Sequence, residues 1–228
     1  MINIIFCGYR EWALQVFSHF ESSSSLKIIN IFKTQDDFLN QIKKYKPQDI
    51  DIILFLGWSW FIPKEITEKY LCLGIHPSDL PDYRGGSPIQ NQIINGITHS
   101  KLTLMTLSSS KIDAGEIWLK EDLDLNGSTM VKIFSHITES SIKLLSIFFT
   151  LYPNISPLTQ DLSKGSYYKR RKPEDSRIKI EDFNQKSLKE IYNFIRCLTD
   201  PYPNAYIEDE NGNKLIFKHV VYQQSQNT

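Results

Sequence analysis

The sequence predicts an α/β fold in which a mostly parallel sheet is flanked by helices and followed by a small unit of one helix and a β-hairpin. Three observations carry this reading. Short apolar runs rich in Ile, Leu and Phe alternate with stretches of helical periodicity across residues 2–69, the pattern of parallel strands joined by right-handed helical crossovers. A loop crowded with Pro and Gly, residues 76–88, follows a hydrophobic run, and the carboxyl edge of such a sheet is where sites form. Late in the chain, an amphipathic stretch at 187–198 precedes two extended runs around Glu210-Asn-Gly-Asn213, which is hairpin turn chemistry.

Residues 2–7 are an apolar, β-branched run closed by Gly8 and read as a buried strand. In 9–20, Trp12, Val16 and Phe20 recur at helical spacing with Ala13 and Phe17 beside them, so a helix follows. A polar turn at 21–25 leads to a second strand at 26–32, a helix at 35–45 with Phe38, Leu39 and Ile42 inward, and a third strand at 51–56. This order is Rossmann-like. Gly8 stands alone where a dinucleotide fingerprint needs three glycines, so no NAD or FAD site is read from it. The aromatic run Trp58-Ser-Trp-Phe-Ile-Pro63 anchors a loop before a helix at 63–69.

A short strand at 71–73 feeds the His76 loop, and 87–96 reads as a helix with Ser87 as N-cap, Pro88 at the first position and Gly96 at the end. Residues 101–107 alternate with period two, 108–111 form a loop, and 117–119 are extended again. The amphipathic stretch 128–151, with Val131, Phe134, Ile137, Leu144, Leu145 and Phe148, is a long helix. It closes the first domain, over 1–165. An irregular linker begins at Pro153, and a second region, 166–228, carries the capped helix with Leu188, Ile191, Ile195 and Leu198 on one face and the hairpin strands 205–207 and 214–222.

The 228 residues hold 26 Lys plus Arg and 26 Asp plus Glu, a formal net charge of zero. No global field favours nucleic acid or acidic membranes, so small-molecule partners fit better. Cys7, Cys72 and Cys197 lie apart in or beside apolar runs and read as buried hydrophobes, not disulfides or metal ligands. No metal site is expected. Met1 leads directly into the first apolar run without a basic leader, and no apolar run reaches the ~18 residues a membrane span needs, so a cytoplasmic protein is expected. His19, His99, His136 and His219 have no partners nearby in sequence and read as ordinary surface or core residues.

His76 differs from these in its setting. Within Leu73-Gly-Ile-His-Pro-Ser-Asp-Leu-Pro-Asp-Tyr-Arg-Gly-Gly-Ser-Pro88, three prolines fix backbone angles while Gly85 and Gly86 permit others, so the segment is a shaped loop. His76, Ser78, Leu80, Pro81, Arg84 and Gly85 resemble the motif Asn-x-His-x-Ser-x-Leu-Pro-x-x-Arg-Gly of the formyltransferases that use 10-formyltetrahydrofolate. The downstream Asp-x-Gly of that family matches Asp113 and Gly115. Farther on, Arg171-Lys-Pro-Glu-Asp175 and Ile195-Arg-Cys-Leu-Thr-Asp-Pro-Tyr-Pro203 are similar to its nucleotide-sugar branch.

The resemblance implies that His76 shuttles a proton and Asp113 orients it. It implies folate contacts from Gly57, Trp58, Ile75, Ser110 and Asp113, with the 58–62 loop bordering the pterin. It implies a substrate region drawn from Arg84, Lys169, Arg170, Arg171 and Tyr202. Read from the residues alone, Arg84 is a loop brace or an anion contact, and 169–172 is a solvated linker or a diphosphate clamp. Tyr202 packs on its own unit or stacks on a base. The family Asn corresponds to Gly74 here. Its oxyanion-donor role falls to a backbone N–H or water, to Ser78, Gln90 or Asn91, or to nothing in a weak or inactive relative. The implied reaction is formyl transfer from N10-formyltetrahydrofolate to the amine of a dTDP- or UDP-linked amino-dideoxy sugar, 4-amino-4,6-dideoxyhexose in type, for surface polysaccharide, with a homodimer as the assembly. The alternatives are formylation of methionyl-tRNA and a binding protein without turnover.

Overall fold

The computed structural model describes residues 1–109 and 111–225. In chain order the elements are β1 (Ile2–Cys7), α1 (Glu11–Phe20), β2 (Leu26–Phe32), α2 (Gln35–Gln41), β3 (Ile52–Phe55), α3 (Lys64–Thr67), β4 (Cys72–His76), β5 (Arg84–Gly85), α4 (Pro88–Ile94), β6 (His99–Thr106), β7 (Ile117–Asp124), α5 (Met130–Leu151), β8 (Tyr167–Tyr168), α6 (Asp182–Gln185), α7 (Leu188–Arg196), β9 (Tyr206–Glu208) and β10 (Lys214–Ile216). Six strands form one sheet in the order β2-β1-β3-β4-β6-β7. The first four are parallel, and β6 runs antiparallel to both neighbours. The predicted mostly parallel α/β sheet is therefore present.

Period-two side-chain alternation divides the core into two layers. Ile4, Phe6, Ile52 and Leu54 pack on one face with Ala13, Val16 and Phe17 of α1 and Ile133, Leu144, Leu145 and Phe148 of α5. Ile5, Cys7, Ile53 and Phe55 point the other way, onto Phe38 and Ile42. Strands buried on both faces read as continuous apolar runs, which is how 2–7 and 52–55 appear in the sequence.

The chain after residue 165 shares the first layer: Ile178, Ile191, Ile195, Leu198 and Ala205 join the α1/α5 side of the core. Arg196 fixes the attachment. Its side chain is buried, its Nη1 donates to the carbonyls of Leu125 at 2.7 Å and Gly127 at 2.9 Å, and its Nε donates to Asn193 Oδ1 at 2.8 Å. A buried cation satisfied by carbonyls locks α7 onto the β7–α5 connection.

Several boundaries differ from the sequence reading for local reasons. The predicted helix at 35–45 ends as α-helix at Gln41 and tightens into a 3₁₀ turn, Ile42–Lys44. The extended run at 117–119 continues to Asp124, paired against β6 apart from a bulge at Trp118. The second hairpin strand stops at Ile216, one further rung of its pairing being the Phe217 N–H on the Ala205 carbonyl at 2.8 Å. Val131 and Leu188, assigned to apolar faces, are exposed, since both lie in the first turn of their helices. Ser87 occupies the N-cap position of α4 without a side-chain cap bond; its φ is +54°, and its Oγ instead accepts from the Arg171 N–H at 3.1 Å. Ser187, by contrast, forms a full capping box with Glu190.

Among the described residues no helix is long and apolar enough to cross a membrane. All three cysteines are buried and unpaired, and burial pushes the Cys72 and Cys197 thiols up to about 12. Thiolate is the reactive form. Native protein at neutral pH should therefore leave a thiol-specific colorimetric reagent largely unreacted, with three equivalents reacting after denaturation; fast reaction of the native protein would contradict the packing around β1, β4 and α7.

Candidate active site

β4 leaves the sheet at His76, whose ring is held from two sides. Nε2 lies 2.9 Å from the Tyr83 carbonyl oxygen; a carbonyl only accepts, so Nε2 carries the hydrogen. Nδ1 is left facing Asp113 Oδ2 at 3.5 Å, and the two side chains are only 7% and 16% exposed. The same Oδ2 accepts the Gly85 N–H at 2.8 Å. One carboxylate oxygen therefore links the imidazole to the glycine of the shaped loop.

Tyr83, Ser87 and Asp113 all adopt left-handed backbone, with φ of +55°, +54° and +52°. Such conformations cost roughly 1–3 kcal/mol each outside glycine and persist only where the surroundings enforce them. Here each is enforced. Tyr83 donates its N–H to Ser166 Oγ at 3.0 Å, stacks on Tyr168 with centroids 5.1 Å apart, and shares Asn95 Nδ2 with the Tyr168 hydroxyl. Ser87 is tied to the Arg171 backbone. Asp113 is held through its carbonyl by Gln160 Nε2 at 3.1 Å, and the same amide donates to the Gly115 carbonyl at 2.6 Å.

A strap around β8 covers the loop. β5 pairs with β8 in parallel, and the backbones approach so closely that a Cβ on Gly85 would lie 2.3 Å from the Tyr168 carbonyl and one on Gly86 2.2 Å from the Arg170 Cα. Gly115 meets the same constraint against β6, where a Cβ would sit 1.7 Å from the Thr106 carbonyl. At Gly74 a Cβ would come within 2.8 Å of the Leu107 side chain. Leu107 thus crowds the place where a larger residue at 74 would begin.

A cavity of about 590 Å³ opens over this arrangement. His76, Asp113, Gly57, Trp58 and Ile75 border it, as do Arg170 and Tyr202. Ser110 lies outside the described residues. Arg84, Lys169 and Arg171 do not border the cavity. Arg84 braces the loop, its Nε donating to the Pro81 carbonyl at 3.1 Å. Lys169 is exposed. Arg171 bonds the Asp175 carbonyl and lies over the Phe194 ring. Of the proposed basic clamp, only Arg170 therefore reaches the cavity. Tyr202 packs beside Phe134 at 6.1 Å, and both residues border the cavity.

A family model described as formyl transferase matches residues 13–144. The chain belongs to the formyl transferase family. It is 33% identical over 174 residues to the methionyl-tRNA formyltransferase of Rickettsia africae, covering 75% of this chain and 54% of that protein. The chain thus spans about half the length of the curated relatives it matches. Among solved structures it resembles a methionyl-tRNA formyltransferase from Clostridium thermocellum, with TM-score 0.80, 32% identity and coverage of 95% and 97% of the two chains. It also resembles a 4-N formyltransferase from Francisella tularensis, with TM-score 0.74, 20% identity and coverage of 98% and 99%; that likeness shows the fold.

Within this formyl transferase fold, a neutral His76 can take a proton on Nδ1 beside a carboxylate. The cavity wall near Trp58 is aromatic: the indole packs edge-on against Phe38, Phe55 and Trp60, and its buried Nε1 has no partner among the described residues. A flat, polar-edged ring fits such a wall. Sequence reasoning missed the Tyr83 carbonyl, the Gly85 N–H and Gln160, because backbone groups and a glutamine 47 residues beyond Asp113 carry no motif. Gly115→Ala should destabilise the protein by more than about 2 kcal/mol, since backbone on both sides must shift; urea unfolding at wild-type stability would show that the Asp113 turn can sit elsewhere.

Proposed function

We propose that this chain transfers a formyl group from N10-formyltetrahydrofolate to a primary amine, and that the amine belongs to a dTDP- or UDP-linked amino-dideoxy sugar. The His76–Asp113 pair beside an aromatic-walled cavity is the observation that carries the formyl-transfer half. As the amine attacks the formyl carbon, it must lose a proton, and N10 must gain one as the C–N10 bond breaks. One group that titrates near neutrality can serve both steps. Nδ1 of His76 accepts the amine proton and returns it to N10, while Asp113, anchored by Gly85, faces the imidazolium as it forms. Gly57, Trp58 and Ile75 are assigned to the folate side of the cavity, with Arg170 and Tyr202 on the acceptor side.

Three features support a small acceptor. The charge balance is even, the segment after residue 165 is compact and joined to the sheet's own core, and a 4-N formyltransferase matches end to end. Assembly as a homodimer in the cytoplasm belongs to the same proposal and rests on the family resemblance. A second reading, methionyl-tRNA as acceptor, is favoured by the names of the relatives at 32–33% identity. Binding a tRNA calls for a basic face that neutralises many phosphates, and 26 cations against 26 anions supply no overall excess.

Incubating the full chain with 10-formyltetrahydrofolate and either dTDP-linked and UDP-linked 4-amino-4,6-dideoxyhexoses or methionyl-tRNA separates the readings. Formylated sugar nucleotide is expected; formyl-methionyl-tRNA would replace the acceptor, and binding without product would replace catalysis. His76→Ala and Asp113→Asn should each cut turnover by about 10²–10⁴-fold while nucleotide binding by calorimetry stays close to wild type. Full turnover in either variant would remove the assigned roles.

A further inference from the structure

Formyl transfer passes through a tetrahedral carbon whose oxygen becomes an anion, and that oxygen needs a fixed hydrogen-bond donor. The two residues at the centre do not provide one. His76 Nε2 is committed to the Tyr83 carbonyl, Nδ1 handles the proton, and the Asp113 carboxylate only accepts. Gly74 has no side chain, and Leu107 crowds the space beside it.

The neighbouring polar side chains divide into committed and free. Ser78 Oγ donates to the Asp82 carbonyl at 2.6 Å. Asn91 Nδ2 donates to the Gly86 carbonyl at 3.0 Å. Gln92 Nε2 donates to the carbonyls of Pro77 and Pro88 at 2.7 and 3.0 Å, and its Oε1 accepts from Ser100. Gln90, on the same helix α4, is 2% exposed and borders the cavity with His76. Among the described residues none hydrogen-bonds its carboxamide, although its neighbours at 91 and 92 are both engaged. At the cavity edge its amide is open to a partner that a ligand supplies.

We propose that the Gln90 side-chain N–H is the donor that holds the formyl oxygen and stabilises the oxyanion. This rests on the formyl-transfer reading above. In the step, the amine nitrogen–carbon bond forms and the carbon–N10 bond breaks. The proton moves from the amine through His76 Nδ1 to N10; Gln90 lends a hydrogen bond and transfers no proton. Trp58 Nε1, a buried donor without a partner among the described residues, also borders the cavity. It belongs to the aromatic wall built on Phe38 and Phe55.

The test compares wild type with Gln90→Glu, which keeps the shape, Gln90→Ala and Trp58→Phe, each first checked for a wild-type thermal melt. The probe is 10-formyl-5,8-dideazafolate labelled with ¹³C at the formyl carbon, read by infrared difference spectroscopy in the bound state. Its carbonyl stretch should lie lower in wild type and Trp58→Phe than in either Gln90 variant. With the amino sugar nucleotide that wild type formylates, the Gln90 variants should lose about 10²-fold in kcat with KM for the folate changed only a few-fold. Gly74→Asn with Leu107→Ala, which opens space for a second amide, should return at least about tenfold of that loss to Gln90→Ala. A carbonyl stretch unmoved by the Gln90 variants, or moved only by Trp58→Phe, overturns the assignment, as does wild-type kcat in Gln90→Glu. If wild type binds the probe but formylates no amine, the stretch still decides the Gln90 contact while the reaction reading fails. If wild type does not bind the probe, both fail.

Discussion

The His76 ring can be held in one orientation only because a backbone carbonyl and a carboxylate reach it from opposite sides, and both come from loops bent into left-handed backbone. Tyr83 presents its carbonyl at φ +55°, and Asp113 presents its carboxylate at φ +52°. Neither conformation is favourable for its residue type in isolation. The fold around them compensates: the β8 strap pins the first, and Gln160 pins the second. The glycines at 85, 86 and 115 are required by the same packing, since each lets one backbone lie against another at a distance no side chain permits.

Seen this way, the chain after residue 165 is part of the site's construction. It supplies Ser166, which holds Tyr83, and Tyr168, which stacks on it. Its helix α7 is fixed by Arg196 to the connection that begins α5. The antiparallel strand β6 completes the frame from the other side: His76 pairs with Thr103 across the ladder, and Thr103 Oγ1 donates to the Ser78 carbonyl at 2.6 Å. Strain in the loop is thus distributed into two rigid elements, the sheet edge and the strap.

Much of this was legible in the sequence, and the reasons for the remainder are physical. Residues 2–7 and 52–55 announced buried strands because both of their faces are covered, and Ser187 with Glu190 announced a cap because the interaction is local. The pairing of His76 with Asp113 followed from two spaced motifs. What the sequence hid was set by long-range backbone geometry. The two-residue strands β5 and β8 have no periodicity to detect, Ser87 looks like an N-cap until its hydroxyl is seen facing Arg171, and residues 169–172 look alike as a basic run although Arg170 alone of them borders the cavity among the described residues. Gly74 signalled only an absence. Its meaning depended on Leu107, which no local pattern connects to it.

The central claim is that Nδ1 of His76 is the nitrogen that exchanges protons, because Nε2–H is committed to the Tyr83 carbonyl. Long-range ¹H–¹⁵N NMR on histidine-labelled protein, at a pH where the ring is neutral, reads the tautomer directly. A His76 signal pattern with the hydrogen on Nε2 and a bare Nδ1 is predicted; a hydrogen resident on Nδ1 would contradict the account.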